Sequence, residues 1–271
     1  MNKNLDSKTP VSTTADTPLL SVQDVSVRFG GIVALDGVSF DIPAGQIIGL
    51  IGPNGAGKTT LFNCISRLYN VNAGDILFDG QSILQSAIYE MSRLGIGRTF
   101  QNLALFANLN VLDNVMIGGH CTGKSDYFSN ALHLPWIKRE ERELRDRAME
   151  VLKFMGLEDT ALQLIGGLPF GVQKRLEIAR ALLSNPKLLM MDEPAGGLNH
   201  NELSELVSTI RKIRDEFGTT VLLVEHHMGL VMEVSEKVVA LSFGQKLAEG
   251  SPREIQEHPD VIEAYLGTGK K

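Results

Sequence analysis

The chain has little cysteine, no excess of basic charge and no long apolar run, and each shortage removes a class of function. Only Cys64 and Cys121 occur among 271 residues. Their spacing is neither that of a metal site nor that of a disulfide framework, which suits a reducing cytoplasm. Cys64 reads as a small core residue. The net charge is −6, so there is no global electrostatic footprint for nucleic acid. No stretch reaches the roughly 18 apolar residues that a bilayer span needs. Residues 1–18 are rich in Ser, Thr, Asp and Asn and hold no apolar segment; they are expected to be a disordered tail rather than a signal peptide. A membrane role must therefore come through a partner. What remains, 43% hydrophobic and 21% charged, is the composition of an ordinary globular chain, long enough for one large or two modest domains.

The most informative stretch present is Gly52-Pro53-Asn54-Gly55-Ala56-Gly57-Lys58-Thr59-Thr60, which matches the phosphate-binding loop G-x-x-x-x-G-K-[ST]. An apolar run, Gln46 to Ile51, precedes it and predicts a buried strand. A helical pattern of Leu61, Phe62, Ile65 and Leu68 follows. Strand, glycine-rich loop and helix form the context the motif requires. The glycines let the backbone curl so that successive amides point at one centre, and the helix N-terminus adds positive potential there. Lys58 is placed to reach the β- and γ-phosphates, and Thr59 to offer its hydroxyl to Mg²⁺. The chain is expected to bind a nucleoside triphosphate.

Around this loop the pattern changes three times. Val25, Val27 and Phe29, then Leu35, Val38, Phe40 and Ile42 with one slip at Gly37, alternate as half-buried strands do, with a Gly30-Gly31 turn between them. A strand is predicted at 76–78 with a turn at Asp79-Gly80. Helical spacing starts near 110, but 118–139 reads as an irregular insert, interrupted by Gly118, Gly119, Gly123, Asn130 and Pro135. Residues 140–155 return to a helix with Leu144, Ala148, Val151, Leu152 and Met155 on one face and a solvated charged face opposite. Runs at 187–191 and 220–224 are continuously apolar, as in central parallel strands. A helix at 201–217 with Leu203, Leu206, Ile210 and Ile213 joins them, and 238–241 is a further strand.

Leu188-Leu189-Met190-Met191-Asp192-Glu193 is an apolar strand ending in two acids. A carboxylate at the tip of a central strand faces the crevice where α/β sheets bind ligands. Asp192 is placed to hold Mg²⁺, and Glu193 to orient and polarise a water for attack on the γ-phosphate. Alone this is a weak signal; downstream of a good phosphate loop it is a strong one.

With these motifs in this order the chain resembles the ATP-binding subunits of ABC transporters, over about residues 19–267. The resemblance implies a role for each matching position. Gln101, in Arg98-Thr99-Phe100-Gln101-Asn102, is the Gln-loop residue that contacts Mg²⁺ and the transmembrane partner. Pro169-Phe170-Gly171-Val172 lies where the family signature faces the γ-phosphate bound by the opposite subunit. Asn199 ends the D-loop in place of the usual Asp, His226 is the switch histidine, and Phe29 is the aromatic residue that stacks on adenine. His227 has no family role and reads as a solvent or structural residue. Arg98 to Gln101, the insert, Arg175 to Arg180, Glu193 to Asn199 and a C-terminal Pro259 to Gly267 resemble the high-affinity branched-chain amino acid uptake branch. Relatives serving amides, urea or lipopolysaccharide share these marks.

One departure stands out: Pro169 replaces the signature Ser and Val172 the signature Gln. Proline offers neither a hydroxyl nor an amide hydrogen, but it fits the start of a helix, and Phe170, Gly171 and Val172 keep their amides. A lost hydrogen bond to a charged group is worth about 1.5–3 kcal/mol. The fold class implied is α/β: a P-loop NTPase core, an N-terminal antiparallel β portion and a helical signature subdomain at about 98–180, with a short tail at 268–271. The resemblance further implies ATP and Mg²⁺ as ligands, catalytic roles for Glu193, His226 and Lys58, and a peripheral place on the cytoplasmic face of the inner membrane. Its partners would be permease subunits, a second ATP-binding subunit (identical or a paralogue) and, indirectly, a solute-binding protein, with no nucleic acid. A permease groove is expected near Leu103, Leu105, Phe106, Leu109 and Val111. A soluble ABC ATPase of DNA repair or translation would carry tandem motifs, a coiled-coil insert or basic surface, all missing here. A P-loop kinase would lack the signature segment and the switch histidine.

Overall fold

The computed structural model describes residues 17–101, 103–119 and 135–266. Most of the expected N-terminal tail, the centre of the insert with Cys121, and the C-terminal tail lie outside the described residues. Strand β1 (Leu20–Phe29) pairs antiparallel with β2 (Ile32–Ile42) across the Gly30-Gly31 turn. The slip at Gly37 is a bulge: Val25 opposes Val38 and Val27 opposes Leu35, so Asp36 and Gly37 face a single residue, whose Ser26 hydroxyl accepts the Gly37 amide at 2.9 Å.

Strand β3 (Ile47–Ile51) leads into the glycine-rich loop and helix α1 (Lys58–Ile65). This helix is shorter than its apolar spacing predicts. Arg67 turns left-handed at φ 61°, the amides of Leu68 and Tyr69 fold back onto the Asn63 carbonyl, and Leu68 is left 46% exposed. Then come β4 (Ala73–Phe78), β5 (Gln81–Ser82), the single turn α2 (Met91–Leu94), β6 (Ile96–Arg98) and α3 (Val111–Ile117). Helix α4 spans Pro135–Phe154, so Pro135 opens the helix rather than interrupting it. The first helical position is where a missing amide hydrogen costs nothing. Helix α5 (Phe170–Leu182), β7 (Leu188–Asp192), α6 (His200–Phe217), β8 (Thr220–Val224) and α7 (Met228–Val234) follow. The described chain closes with β9 (Lys237–Ser242), β10 (Gln245–Gly250), α8 (Pro252–Glu257) and α9 (Pro259–Leu266).

The strands form two sheets, β2-β1-β4-β5 and β10-β9-β3-β8-β7-β6. In the larger one β9, β3, β8, β7 and β6 run parallel, and β10 closes an edge antiparallel. Period-two alternation divides their side chains between two cores. Leu189, Met191, Val221, Leu223, Val238 and Ala240 pack with the helices α3 to α7. Leu188, Met190, Leu222, Val224, Val239 and Leu241 pack with α1 and the smaller sheet, and Cys64 is buried there as expected. In α4 the residues Ala148, Val151, Leu152 and Met155 are buried. Strand β3, which delivers the loop, and β7, which delivers the acids, flank β8 at the centre of the sheet, so their C-terminal ends open onto one crevice.

Candidate nucleotide site

The glycine-rich loop curls as its composition requires. Gly57 sits at φ 100°, where a Cβ would meet the Ala34 carbonyl oxygen at 2.7 Å, so only glycine fits. The Ala56 amide donates to the Pro53 carbonyl at 3.1 Å, and the Ala56 carbonyl accepts from Gly244 at 3.1 Å. Asn54, Gly55 and Thr59 are exposed, Thr60 half-buried. Lys58 is 5% exposed and folds back to donate to the Gly52 and Pro53 carbonyls at 2.7 and 3.0 Å. Burial lowers its pKa, opposed by the nearby charges of Glu193 and Asp192.

Glu193 stands at the exit of β7 with a left-handed backbone, φ 49°, held by its amide to the Val224 carbonyl at 2.9 Å. This conformation is costly for a non-glycine residue and clusters at functional sites. Its carboxylate is gripped from both sides: Gln101 Nε2 donates to Oε2 at 2.8 Å, and His226 Nε2 lies 2.7 Å from Oε1. Three residues taken from distant parts of the sequence thus meet at one carboxylate. Asp192 beside it is buried and paired with Arg98 Nη2 at 3.2 Å. Burial pushes the Asp192 carboxyl upward, with Arg98 opposing.

Residues that sequence reasoning left without a role hold this constellation. Arg98 also donates to Asn63 Oδ1 at 2.8 Å and Ser66 Oγ at 2.6 Å, and lies over the Phe62 and Phe100 rings. Glu177 on α5 is 2% exposed and accepts the Phe100 amide at 2.9 Å, one residue before Gln101. Glu225 is 3% exposed and accepts the Ala195 amide at 2.6 Å, His226 at 3.1 Å and His227 at 3.3 Å, tying the segment after the acids to the His226 turn. Burial raises the pKa of both carboxyls, opposed by these amide hydrogen bonds. Each was a lone acid on an apolar element in the sequence, and only the fold supplies its partners.

Other expectations fare variously. Phe29 is 45% exposed and stacks edge-on against Tyr69, with ring centroids 5.1 Å apart, so it is no core aromatic. Asn199 caps α6 in place of the usual Asp: its side chain accepts from Asn201 and Glu202, while Glu202 accepts from the Asn199 amide. His227 is structural, capping α7 through Nδ1. Pro169 is the N-cap of α5 and exposed. Of the three amides that the segment keeps, that of Val172 donates to the Pro169 carbonyl at 3.0 Å, which leaves Phe170 and Gly171 at the open end of the helix. Gly171 is itself covered, since a Cβ there would meet Glu202 Oε1 at 2.3 Å. In the expected groove Val111 is a core residue, whereas Phe106 is 52% exposed. At the segment bridged to Asn110 by Leu164, Leu162 and Leu164 are 74% and 62% exposed, and the sequence reading missed them.

The sequence profile of the ABC transporter family matches residues 35–196. The chain belongs to this family. A second profile, described as branched-chain amino acid ATP-binding cassette transporter, matches residues 245–271. The ABC chain is 41% identical over 250 residues to the high-affinity branched-chain amino acid transport ATP-binding protein BraF of Pseudomonas aeruginosa, covering 92% of this chain and 98% of that one. It is 42% identical over 250 residues to LivG of Escherichia coli, a protein of the same description, with the same coverage. A solved nucleotide-free ATP-binding cassette from an ABC transporter superposes with a TM-score of 0.81 at 31% identity, covering 93% of this chain and all (100%) of the other. A cassette solved in its ADP conformation gives 0.81 at 32% identity over 93% and 99%. The α/β ABC fold expected from the sequence is thus the fold of the chain, and like the family's other members it is an ATP-hydrolysing transport subunit. Among the described residues no helix is long and apolar enough to cross a membrane.

Proposed function

We propose that this ABC ATPase energises import of branched-chain amino acids, working peripherally at the cytoplasmic face of the inner membrane beneath separate permease subunits. The observation that carries the hydrolytic part is Glu193, held by Gln101 and His226 at the mouth of the phosphate loop. The branched-chain match at 245–271 and the BraF and LivG relatives support the solute. A solute-binding protein would deliver the amino acid to the permease.

In this reading ATP lies with its phosphates over residues 52–60 and its adenine on Phe29. Lys58 leaves the Gly52 and Pro53 carbonyls to meet the β- and γ-phosphates, a local exchange of one set of oxygen acceptors for another. Glu193 accepts a proton from the attacking water, and His226 and Gln101 hold its carboxylate from the two sides. Thr59, Gln101 and Asp192 offer the oxygen donors a hard divalent cation prefers, so the residues present fit Mg²⁺. That ion supplies neutralisation of charge on the β- and γ-phosphates. The exposed Phe170 at the start of α5 would bring its amide to the γ-phosphate bound by a second ATP-binding subunit, with the covered Gly171 behind it. A dimer solved with ADP and phosphate, 27% identical with a TM-score of 0.72 over 86% of this chain, supports that pairing. We assign about 98–180, where α3, α4 and α5 pack on one another, to the helical subdomain, and the exposed Phe106, Leu162 and Leu164 on it to the permease contact.

The test is Glu193→Gln, which keeps size and loses the base. ATP should still bind and an ATP-bound dimer accumulate, while phosphate release falls by about 10²-fold or more. Turnover within threefold of the parent refutes the base. In membranes carrying the whole transporter, the same change should abolish ATP-dependent leucine uptake; transport of a different solute class by the parent complex would correct the substrate.

A further inference from the structure

Strand β3 ends at Ile51, so Gly52 is the first residue whose amide the central sheet no longer pairs. Gly52 is nevertheless buried, at φ 151°, and so tightly set that a Cβ would meet the Leu241 carbonyl oxygen at 2.3 Å. A buried amide needs a partner. It finds one far away in sequence: it donates at 2.7 Å to the hydroxyl of Tyr265, on α9. Helix α9 is itself anchored, because Val261 is 5% exposed within the main core. The Tyr265 ring is 39% exposed, but burial of its hydroxyl raises its pKa, so it stays protonated at neutral pH. The opposite side of the same residue, the Gly52 carbonyl, is held by Lys58 at 2.7 Å.

These two ties differ in what nucleotide does to them. In the proposed reading phosphate binding draws Lys58 off the Gly52 and Pro53 carbonyls; Pro53 keeps the Ala56 amide, and Gly52 is left with the tie of its own amide to Tyr265. We propose that Tyr265 is a positioning residue for the phosphate loop, fixing the Gly52 amide so that the loop holds its curl when Lys58 moves to the phosphates. The C-terminal helix is thereby a structural part of the nucleotide site. The inference rests on the reading of residues 52–60 as that site. Without nucleotide, a loop released from Tyr265 can open until the buried Gly52 amide reaches water. With nucleotide it must be re-ordered first, and that ordering opposes binding.

The experiment compares the full chain with Tyr265→Phe by calorimetry with MgADP, by steady-state ATPase kinetics and by thermal melting without nucleotide. The hydroxyl's loss should raise the Kd for MgADP and the KM for ATP about fivefold, equivalent to about 1 kcal/mol. kcat at saturating ATP should be unchanged, and the nucleotide-free melting temperature should fall by no more than about 5 °C, the scale of one amide that loses its acceptor. An unchanged Kd in a parent that binds MgADP overturns this inference alone. A loss of affinity accompanied by a nucleotide-free melting temperature lower by more than about 5 °C also overturns it, since the hydroxyl would then hold the fold and not the site. A parent chain that binds no nucleotide overturns the site reading and this inference together.

Discussion

Removing the carboxylate of Glu177 separates two effects that the structure superimposes. The side chain is 2% exposed, accepts the Phe100 amide at 2.9 Å and lies near the charges of Lys174 and Arg180. Phe100 precedes Gln101, whose amide grips Glu193, so α5 fixes the Gln loop through Glu177, with Lys174 and Arg180 adding hydrogen bonds to the Gln101 and Ala104 carbonyls. Glu177→Gln keeps an oxygen for the Phe100 amide and loses the charge together with the second acceptor, which serves the Ala104 amide. Glu177→Ala leaves that amide without its acceptor, at about 1–3 kcal/mol, or roughly 2–12 °C of melting temperature in a chain of this size. Released from Phe100, Gln101 no longer holds Glu193 in place, and turnover at saturating ATP should fall about tenfold, which is about 1.4 kcal/mol at the barrier. The hydrogen bond should outweigh the charge, because burial already pushes the Glu177 carboxyl above its usual 4.5. The sign follows from that shift. A carboxyl whose folded pKa is raised binds its proton more tightly in the folded state, so its contribution is fully present below pH 4.5 and is lost as pH rises through the raised value. The parent should therefore lose stability across that window relative to Glu177→Gln, which does not titrate. The assays are thermal melts from pH 4.5 to 7.5 and phosphate release at pH 7.5. An alanine variant as stable and as fast as the parent, or a glutamine variant as impaired as alanine, refutes the reasoning.

Two further perturbations test the edges of the site. Phe29→Ala should weaken ATP about fivefold, the worth of one aromatic contact, with little change in melting because the ring is half exposed against Tyr69; equal affinity by calorimetry would remove Phe29 from the adenine site. Pro169→Ser gains an N-cap acceptor worth about 1 kcal/mol and loses a comparable unfolded-state benefit of proline, so melting should stay within about 2 °C. Its new hydroxyl should instead tighten ATP-driven dimerisation in the Glu193→Gln background, and weaker dimerisation than the Pro169 parent would show that α5 does not face nucleotide.

The sequence disclosed the elements whose signal is local. Continuous apolar runs gave β3, β7 and β8, alternation gave β1 and β2, and the phosphate loop carried its own explanation in its glycines. Its errors were at ends and in partnerships. Leu68 continued a helical spacing that the left-handed Arg67 cuts off, and Pro135 looked like a break because proline both starts and stops helices. Arg98, Glu177, Glu225 and Tyr265 stayed invisible because their partners lie 94, 77, 30 and 213 residues away. No periodicity encodes such distances. Burial would have been the available signal: Glu177 and Glu225 sit amid apolar neighbours in sequence, where an acid needs a specific reason to remain.

Those hidden partnerships describe how the site is wired. Asp192 and Glu193 are adjacent in sequence but serve different neighbours: Asp192 is locked to Arg98 within the core, while Glu193 is held by two mobile-length side chains, Gln101 and His226, at its rim. The first arrangement is rigid, since Arg98 is pinned by Asn63, Ser66 and two aromatic rings. The second can be changed by moving either loop. Gln101 follows α5 through Glu177, and His226 follows the segment after the acids through Glu225. Displacing α5 would thus reach Glu193 through Gln101, and displacing the Ala195 turn would reach it through His226. A carboxylate whose two holders answer to two separate elements is placed correctly only when both elements are; with Glu193 as the proposed base, hydrolysis becomes conditional on the arrangement of the subunit as a whole.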